Sequence, residues 1–457
     1  MYFDSHVHLD DSIFDPDRDT VINTALSENV KLMLNIGLNT QSSIESVKLS
    51  EKYDFIYASC GFHPHDANKM KEEDYIAIRE LLLHKKAIAV GEVGLDYYRN
   101  LSPVDKQREV FARFIRLARE VKKPLIIHSR EAFDDTLKIM EQESAEEIGG
   151  VAHCFSGDIE IAKKFMDMNF HISFAGQITF KKNENINKLI SYIPMERILI
   201  ETDCPYLSPQ PERGKRNMPA YVKYTAQKLA EIKMLSSDDI GRITALNAIK
   251  LFNLPIQQKP VIVYPIRDSL YLNITNQCSN SCFFCLRYKQ DFLQGHLLKF
   301  NIEPTVDDLL KEIKPVISKY REVVFCGYGE PLLRIEVVLK IAAALKNMGV
   351  KHVRIDTNVH GYLMSIENIV PKFSGIIDEI CISLNALDKN KYMQVCCPEF
   401  GEGTFDEVMK FILECKKVIP KVVITFVELP DLDLDACRKL AQNLGVAYKI
   451  RKFDVVG

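Results

Sequence analysis

The chain has 457 residues and a net charge of −3, with 47% hydrophobic residues, 26% charged residues and no Trp. At roughly 100–200 residues per domain, that length excludes one ordinary domain and predicts two or three. The charge excludes a broadly basic nucleic-acid coat, though not an enzyme gripping a few phosphates in a cleft. Short apolar runs, each ending in polar residues, fall at 2–4, 32–37, 55–61, 87–91, 124–128, 151–153, 171–174 and 198–203. Helical patterns separate them: Val110, Phe111, Phe114, Leu117, Ala118 and Val121 recur at the 3.6-residue period. Strands alternating with helices predict a parallel sheet, and eight such units suit an α/β (β/α)8 TIM barrel over 1–256, with a doubly wound open sheet as the alternative. Residues 246–254 read as a closing helix, and 257–267, in a stretch with three prolines from Pro255 to Pro265, as a linker. The rhythm restarts at 270–275, 323–327, 352–357, 379–384, 422–427 and 447–453, which predicts a partial (β/α)6 barrel, or an open α/β sheet, over 268–457. No apolar run reaches the ~18–20 residues of a membrane span. The N-terminal Met1-Tyr-Phe-Asp-Ser-His6 lacks the basic and apolar segments of a secretory signal, so a cytoplasmic location is expected.

In the first 256 residues, ligand-type side chains gather where strands end. His6-Val-His8 follows the first strand, and alternate residues of extended backbone point the same way, so both imidazoles can meet one ion. Glu92 follows the fourth strand, His128 ends the fifth, His153 the sixth and Asp203 the eighth. One such His is ordinarily a packed or hydrogen-bonded side chain; four with two carboxylates at five corresponding ends are not explained by packing. Six ligands exceed one tetrahedral ion, which predicts two divalent ions, with Glu92 free to bridge them. Such a centre activates water and clamps the oxygens of an in-line phosphoryl displacement, with Glu92 and Asp203 as the catalytic carboxylates. Imidazole favours Zn and carboxylate admits Mg and Mn, so the metal stays open.

These residues resemble the TatD family of metal-dependent deoxyribonucleases. The matching stretches are Phe3-Asp-Ser-His-Val-His8, Gly61-Phe-His-Pro-His65, Gly91-Glu-Val-Gly-Leu-Asp96, Pro124-Leu-Ile-Ile-His-Ser-Arg130, His153-Cys-Phe-Ser-Gly157, Glu201-Thr-Asp-Cys-Pro-Tyr-Leu207 and Arg216-Asn-Met-Pro219. The resemblance implies phosphodiester hydrolysis, typically trimming DNA from a 3′ end, and metal ligation by His6, His8, Glu92, His128, His153 and Asp203. It also places His63 and Arg130 near the substrate phosphate, a role the planar guanidinium suits. Glu201 stands two residues before Asp203, where it could orient a ligand, shuttle a proton or be a plain strand residue. Met218 replaces the acidic residue of the common Arg-Asn-Glu-Pro pattern. The alternative is a related amidohydrolase acting on an amide or lactone; Glu92 and the Gly-Phe-His-Pro-His segment favour the nuclease.

Of twelve cysteines, only Cys60, Cys154 and Cys204 precede residue 257. Clustered cysteine in a reducing compartment points to metal or redox chemistry. Cys278-Ser-Asn-Ser-Cys282-Phe-Phe-Cys285 follows a strand and offers three thiolates. Three ligands can hold a [4Fe–4S] cluster with one iron left open, and a structural zinc loop is the plainer alternative. The spacing is similar to that of the radical SAM superfamily. This resemblance implies that the open iron binds S-adenosyl-L-methionine, whose reductive cleavage yields a 5′-deoxyadenosyl radical, with an electron donor such as flavodoxin or ferredoxin. Cys278, Cys282 and Cys285 carry over as cluster ligands, and Phe284 as the aromatic beside the adenine. Gly327-Tyr-Gly329-Glu330-Pro331 resembles the family's Gly-Gly-Glu-Pro segment near the methionine amine, with Tyr328 interrupting the glycine pair. Thr357 and Asn358, with Ser383 and Asn385, stand where the family contacts ribose and carboxylate. Cys396-Cys397 has no C-x2-C companion before it and reads as buried or substrate-side thiol.

The expected protein is a fusion of the two enzymes, with single-stranded nucleic-acid ends as partner of the first. Its alternative is that one domain serves only as a binding or regulatory module. The radical substrate and oligomeric state stay open.

Overall fold

Eight strands form the first sheet: β1 (Tyr2–Val7), β2 (Val30–Asn35), β3 (Ile56–Cys60), β4 (Ala87–Asp96), β5 (Leu125–Arg130), β6 (Gly150–Ala152), β7 (Phe170–Phe174) and β8 (Ile198–Ile200). They pair in parallel in chain order. The ring is completed just beyond β8, where the Asp203 amide donates to His6 O at 3.0 Å and the His8 amide to Cys204 O at 2.9 Å. In this computed structural model, which describes residues 1–180, 184–363 and 367–452, the chain divides into two units, Met1–Ile256 and the chain from Gln257 onward.

Strand periodicity sorts the barrel's side chains. Leu125 and Ile127 of β5, Ala152 of β6, and Ile198 and Ile200 of β8 join the helices in one core. Ile126, Val151 and Leu199, on the alternate parity, lie in a second apolar cluster with Phe3, Leu34 and Ile88, packed against Ala245, Ala248, Ile249 and Phe252. The latter belong to or directly follow the helix Ser237–Leu251, which starts earlier and ends sooner than the expected 246–254. The inner parity then continues upward as His128, His153, Glu201 and Asp203, so an apolar plug supports the polar mouth. The helix Val104–Val121 buries Val110, Phe111, Phe114, Leu117 and Ala118, as its periodicity predicts, and ends at Lys122 in the left-handed region.

The second unit carries a seven-stranded sheet. Its strands are β9 (Val263–Ile266), β10 (Ser269–Leu272), β13 (Glu322–Phe325), β14 (His352–Thr357), β15 (Glu379–Ser383), β16 (Lys421–Glu428) and β17 (Ala447–Lys452), with a small hairpin, β11 (Phe292–Leu293) and β12 (His296–Leu297), outside it. From β10 to β17 the six strands are parallel, a partial barrel. One expectation is corrected: the stretch 257–267 is not wholly a linker, because Val263–Ile266 pairs antiparallel with β10 as an edge strand. Tyr264 and Ile266 are buried, and an edge position tolerates Pro265, whose missing N–H faces away from the ladder. Phe453, expected to end the last strand, lies outside the described residues, as does the rest of 453–457. Leu270, Leu272, Val323, Phe325, Val353, Ile355, Ile380 and Ile382 form the helix-covered face; the alternate face carries Tyr271, Arg354, Asp356 and Cys381. No helix among the described residues is long and apolar enough to cross a membrane.

Candidate metal centre and cysteine loop

The six ligand-type residues of the barrel meet at one mouth. His6 Nε2 lies 3.3 Å from Glu92 Oε2 and 3.6 Å from Asp203 Oδ1, and His8 Nε2 lies 3.3 Å from the same Asp203 oxygen. On the other side, Glu92 Oε1 is 2.8 Å from His128 Nδ1 and 2.8 Å from His153 Nε2. Glu92 thus presents one oxygen to each half. It lies within β4 and not after it, because the strand continues beside β5 as far as Asp96, opposite Arg130, past an irregularity between Val90 and Val93. Gly94 permits that pairing: its φ is +142°, and a Cβ there would stand 1.9 Å from His128 O. Asp203 is held in the left-handed region, φ 57°, at the point where the barrel closes.

His6 is fully buried, yet both its ring nitrogens lack a hydrogen-bond partner, and so do His8 Nδ1 and His153 Nδ1. Buried polar atoms are ordinarily satisfied. Unpaired imidazole nitrogens converging with two carboxylates are the donor set of a divalent cation. Three overlapping sets can be drawn at this mouth: His6, His8 and Asp203; His6, His153 and Glu201; and His63, Glu92 and His128. Burial opposes charge on Glu92, but the surrounding His153, His63 and His128 outweigh it and hold the carboxyl well below its ordinary range. Burial likewise disfavours protonated His153, yet Glu92 and Glu201 hold its pKa well above the usual imidazole value. His63 is pushed down to about 4 by burial.

Two expected phosphate contacts fall in different surroundings. His63 Nε2 is 3.5 Å from Glu92 Oε1, inside the ligand cluster. Arg130 is exposed at the end of β5 with its guanidinium 3.9 Å from the Tyr98 ring centroid. Other residues support the centre. Asp96 Oδ2 is 3.1 Å from His128 Nε2 and 2.9 Å from His65 Nε2. Glu201 accepts from the Cys154 amide at 2.7 Å and the Ser173 hydroxyl at 2.5 Å, and stands 3.3 Å from His153 Nδ1. Asp4 accepts from the Thr202 amide and hydroxyl at 2.9 and 2.6 Å. The sequence carried a signal for Asp96 and His65, which end the family-like stretches Gly91–Asp96 and Gly61–His65; for Asp4 it was a carboxylate two residues before His6 on an apolar strand. Met218 is partly buried against the core.

In the second unit Cys278, Cys282 and Cys285 are free, partly buried thiols in the loop after β10. Backbone bonds fix that loop: Ser281 N–H to Cys396 O at 3.1 Å, Glu399 N–H to Ser279 O at 2.9 Å and Glu330 N–H to Gln277 O at 2.7 Å. Asn358 Nδ2 is 3.4 Å from Cys278 Sγ. Burial pushes the Cys278 thiol up to about 12. Three unbridged thiols on one braced loop suit a soft metal or cluster.

Gly327 and Gly329 press against this loop: added Cβ atoms would stand 2.2 Å from Asn273 Oδ1 and 2.2 Å from Gln277 O. Glu330 is buried, and its carboxylate accepts from the Thr357 hydroxyl at 2.5 Å and the amides of Asn358 and Leu332 at 2.7 and 2.9 Å. It therefore braces Thr357 and Asn358, and burial lifts its pKa to about 7. Phe284 packs partly buried beside Phe283. Ser383 and Asn385 lie under Arg451, whose Nη2 is 3.5 Å from Ser383 Oγ and 3.2 Å from Asn385 Oδ1. A cleft of about 670 Å³ opens beside Cys278, lined also by Gln277, Arg287, Lys299, Tyr328 and Glu399. Cys396 is buried and Cys397 exposed.

A parallel eight-stranded ring with its ligand set at the C-terminal mouth is a metal-dependent hydrolase barrel, here followed by a second, partial barrel with a three-cysteine loop. Residues 3–253 match the family model described as TatD related DNase, and the chain belongs to that family. Residues 272–444 match the radical SAM superfamily. The uncharacterized metal-dependent hydrolase YabD of Bacillus subtilis (strain 168) is 46% identical over 254 residues, covering 56% of this chain and 100% of that protein. The 3′-5′ ssDNA/RNA exonuclease TatD of Rahnella sp. (strain Y9602) is 31% identical over 258 residues, 55% of this chain and 98% of that protein. Among solved structures, YJJV, a TatD homolog from Escherichia coli K12, is 26% identical with a TM-score of 0.53, covering 56% of this chain and 98% of its own.

Proposed function

We propose that the first domain is a two-metal phosphodiesterase that trims single-stranded nucleic acid from an end. The observation that carries this reading is Glu92, with one oxygen facing His6 and the other facing His128 and His153, beside buried ring nitrogens of His6, His8 and His153 that lack a hydrogen-bond partner. His6, His8 and Asp203 would hold one ion; Glu92 would be shared, and His128 and His153 would serve the second side, with His63 within reach of the same ion or the phosphate on it. Two divalent ions, Mg, Mn or Zn, supply Lewis acidity and activate water there. Asp203 orients or accepts the proton of the attacking water, and Arg130 grips the phosphate by leaving its stack on Tyr98. The relative named as a 3′-5′ ssDNA/RNA exonuclease supports a nucleic-acid substrate over an amide or lactone. The test is a single-stranded oligonucleotide labelled at its 5′ end. With Mn or Mg it should yield a ladder shortened from the 3′ end that a chelator stops; lactone or amide turnover without any such ladder would overturn the reading.

The second domain, in the same proposal, holds a [4Fe–4S] cluster on Cys278, Cys282 and Cys285. It binds S-adenosyl-L-methionine beside Phe284, Gly327, Gly329, Glu330, Thr357, Asn358, Ser383 and Asn385. A cluster held there would supply one-electron reduction of the bound SAM, with a flavodoxin- or ferredoxin-like protein as the donor. Anaerobically reconstituted protein should contain about four irons per chain and release 5′-deoxyadenosine from SAM when reduced; zinc without iron would overturn it.

A further inference from the structure

Aromatic rings stand in solvent on opposite sides of the metal centre. Tyr206 follows Asp203 by three residues, and its backbone is tied on both sides: its amide donates to Asp203 O at 2.9 Å, and its carbonyl accepts from Asn217 Nδ2 at 2.5 Å. The residue is nonetheless 51% exposed, with its ring edge-on to His8, centroids 6.0 Å apart at 64°. The hydroxyl donates to Asp11 Oδ2 at 3.3 Å. Tyr98, two residues beyond β4, is 57% exposed, and Arg130 at the end of β5 lies over it at 3.9 Å. In a closed ring of eight strands ordered β1 to β8, β4 is diametrically across from β8. Tyr206 therefore borders the His8–Asp203 side, and the Tyr98–Arg130 pair borders the Glu92–His128 side.

We infer that these rings are base-stacking platforms, with Tyr206 receiving the terminal nucleobase of a single-stranded end and Tyr98 a neighbouring base across the scissile phosphate. The inference rests on the nuclease reading above and names the subsite that selects its substrate. A rigidly held ring half in water gains by covering its face, and every nucleobase offers a π-surface that stacks without sequence preference. Two successive bases can occupy the two rings only when they are unpaired and unstacked from one another. With 59 basic residues offset by 62 acidic ones, the chain carries no net positive charge to draw in a long polyanion. Stacking supplies affinity that is nearly independent of salt, so KM for an oligonucleotide should rise only shallowly with ionic strength.

The experiment uses the full chain and a single-stranded DNA with 2-aminopurine at its 3′ terminus, in Ca²⁺ to read binding and in Mn²⁺ to read cleavage. Stacking on Tyr206 should quench the 2-aminopurine. Tyr206→Leu, which keeps bulk without a π-face, should abolish the quench and raise KM about 5- to 100-fold; Tyr206→Phe should restore both. An abasic 3′ end should raise wild-type KM by a similar factor and cost the Leu variant nothing further. If the oligonucleotide is cleaved but the quench or the abasic penalty survives in Tyr206→Leu, the platform is wrong and the nuclease stands. Quenching that depends on Tyr206, without cleavage in any metal, overturns the hydrolase reading and leaves a base-binding mouth. Neither quench nor cleavage overturns both.

Discussion

Glu92 touches both sides of the first centre, so its charge is the most shared in the barrel. Glu92→Gln keeps the shape and removes the anion. Hydrolysis should fall at least about 100-fold, with metal content per folded chain measured alongside; a folded Gln variant with wild-type turnover would contradict a shared carboxylate. Asp96 acts through others, since its Oδ2 lies between His65 and His128. Asp96→Asn puts a donor where both rings need an acceptor. It should cost about 10–100-fold in metal affinity or activity, and added Mn should recover part of it if the role is positioning. The primary ligands were legible in the sequence because each imidazole or carboxylate stands at the end of an apolar run. Asp96 lay in a family-like stretch and Glu201 was open between three roles, but their supporting roles, like that of Asp4, arise only from partners on other strands, Asp4 with Thr202 and Glu201 with Ser173. His63 illustrates a subtler limit: its motif was plain, but only the folded chain sets its ring 3.5 Å from Glu92 and not out toward solvent.

At the scale of elements, the first barrel was readable because helix and strand periods alternate cleanly over eight units. Boundaries were less so. The run 87–91 stops at a glycine, whereas β4 continues to Asp96, since Gly91 and Gly94, with φ of +152° and +142°, let the backbone stay against β5. Gly94→Ala would set a methyl against His128 O in a conformation L-residues avoid. Its expected signature is a melting temperature lower by roughly 5 °C or more together with weakened metal binding. The connector misled for a similar reason: prolines mark a break, yet an edge strand accepts one, and Tyr264 is fully buried. In the second unit, Gly327 and Gly329 press against the cysteine loop so closely that a side chain would not fit at either, while the interposed Tyr328 bonds outward to Asp291 at 2.7 Å.

For the whole molecule, the two units own separate cores and separate ligand sets. Asp203→Asn should therefore abolish hydrolysis and spare SAM cleavage, while Cys282→Ser, a poorer soft-metal ligand, should lose the cluster's visible absorption and spare hydrolysis. Loss of SAM cleavage in folded Asp203→Asn would show that the halves are coupled. Chelation should lower the melting transition of the first unit alone, because ions that bind only the native state stabilise it by mass action and the buried imidazoles lose their partners.

The closed ring and the open sheet also differ in what they offer to other chains. A ring of eight strands has no edge strand, whereas among the described residues the seven-stranded sheet has two, β9 and β17. Pro265 interrupts one, and the exposed Lys449 and Lys452 place positive charge along the other. Both are devices that discourage strand-to-strand accretion between molecules, so the vulnerability of this fusion to self-association during synthesis rests with its second half.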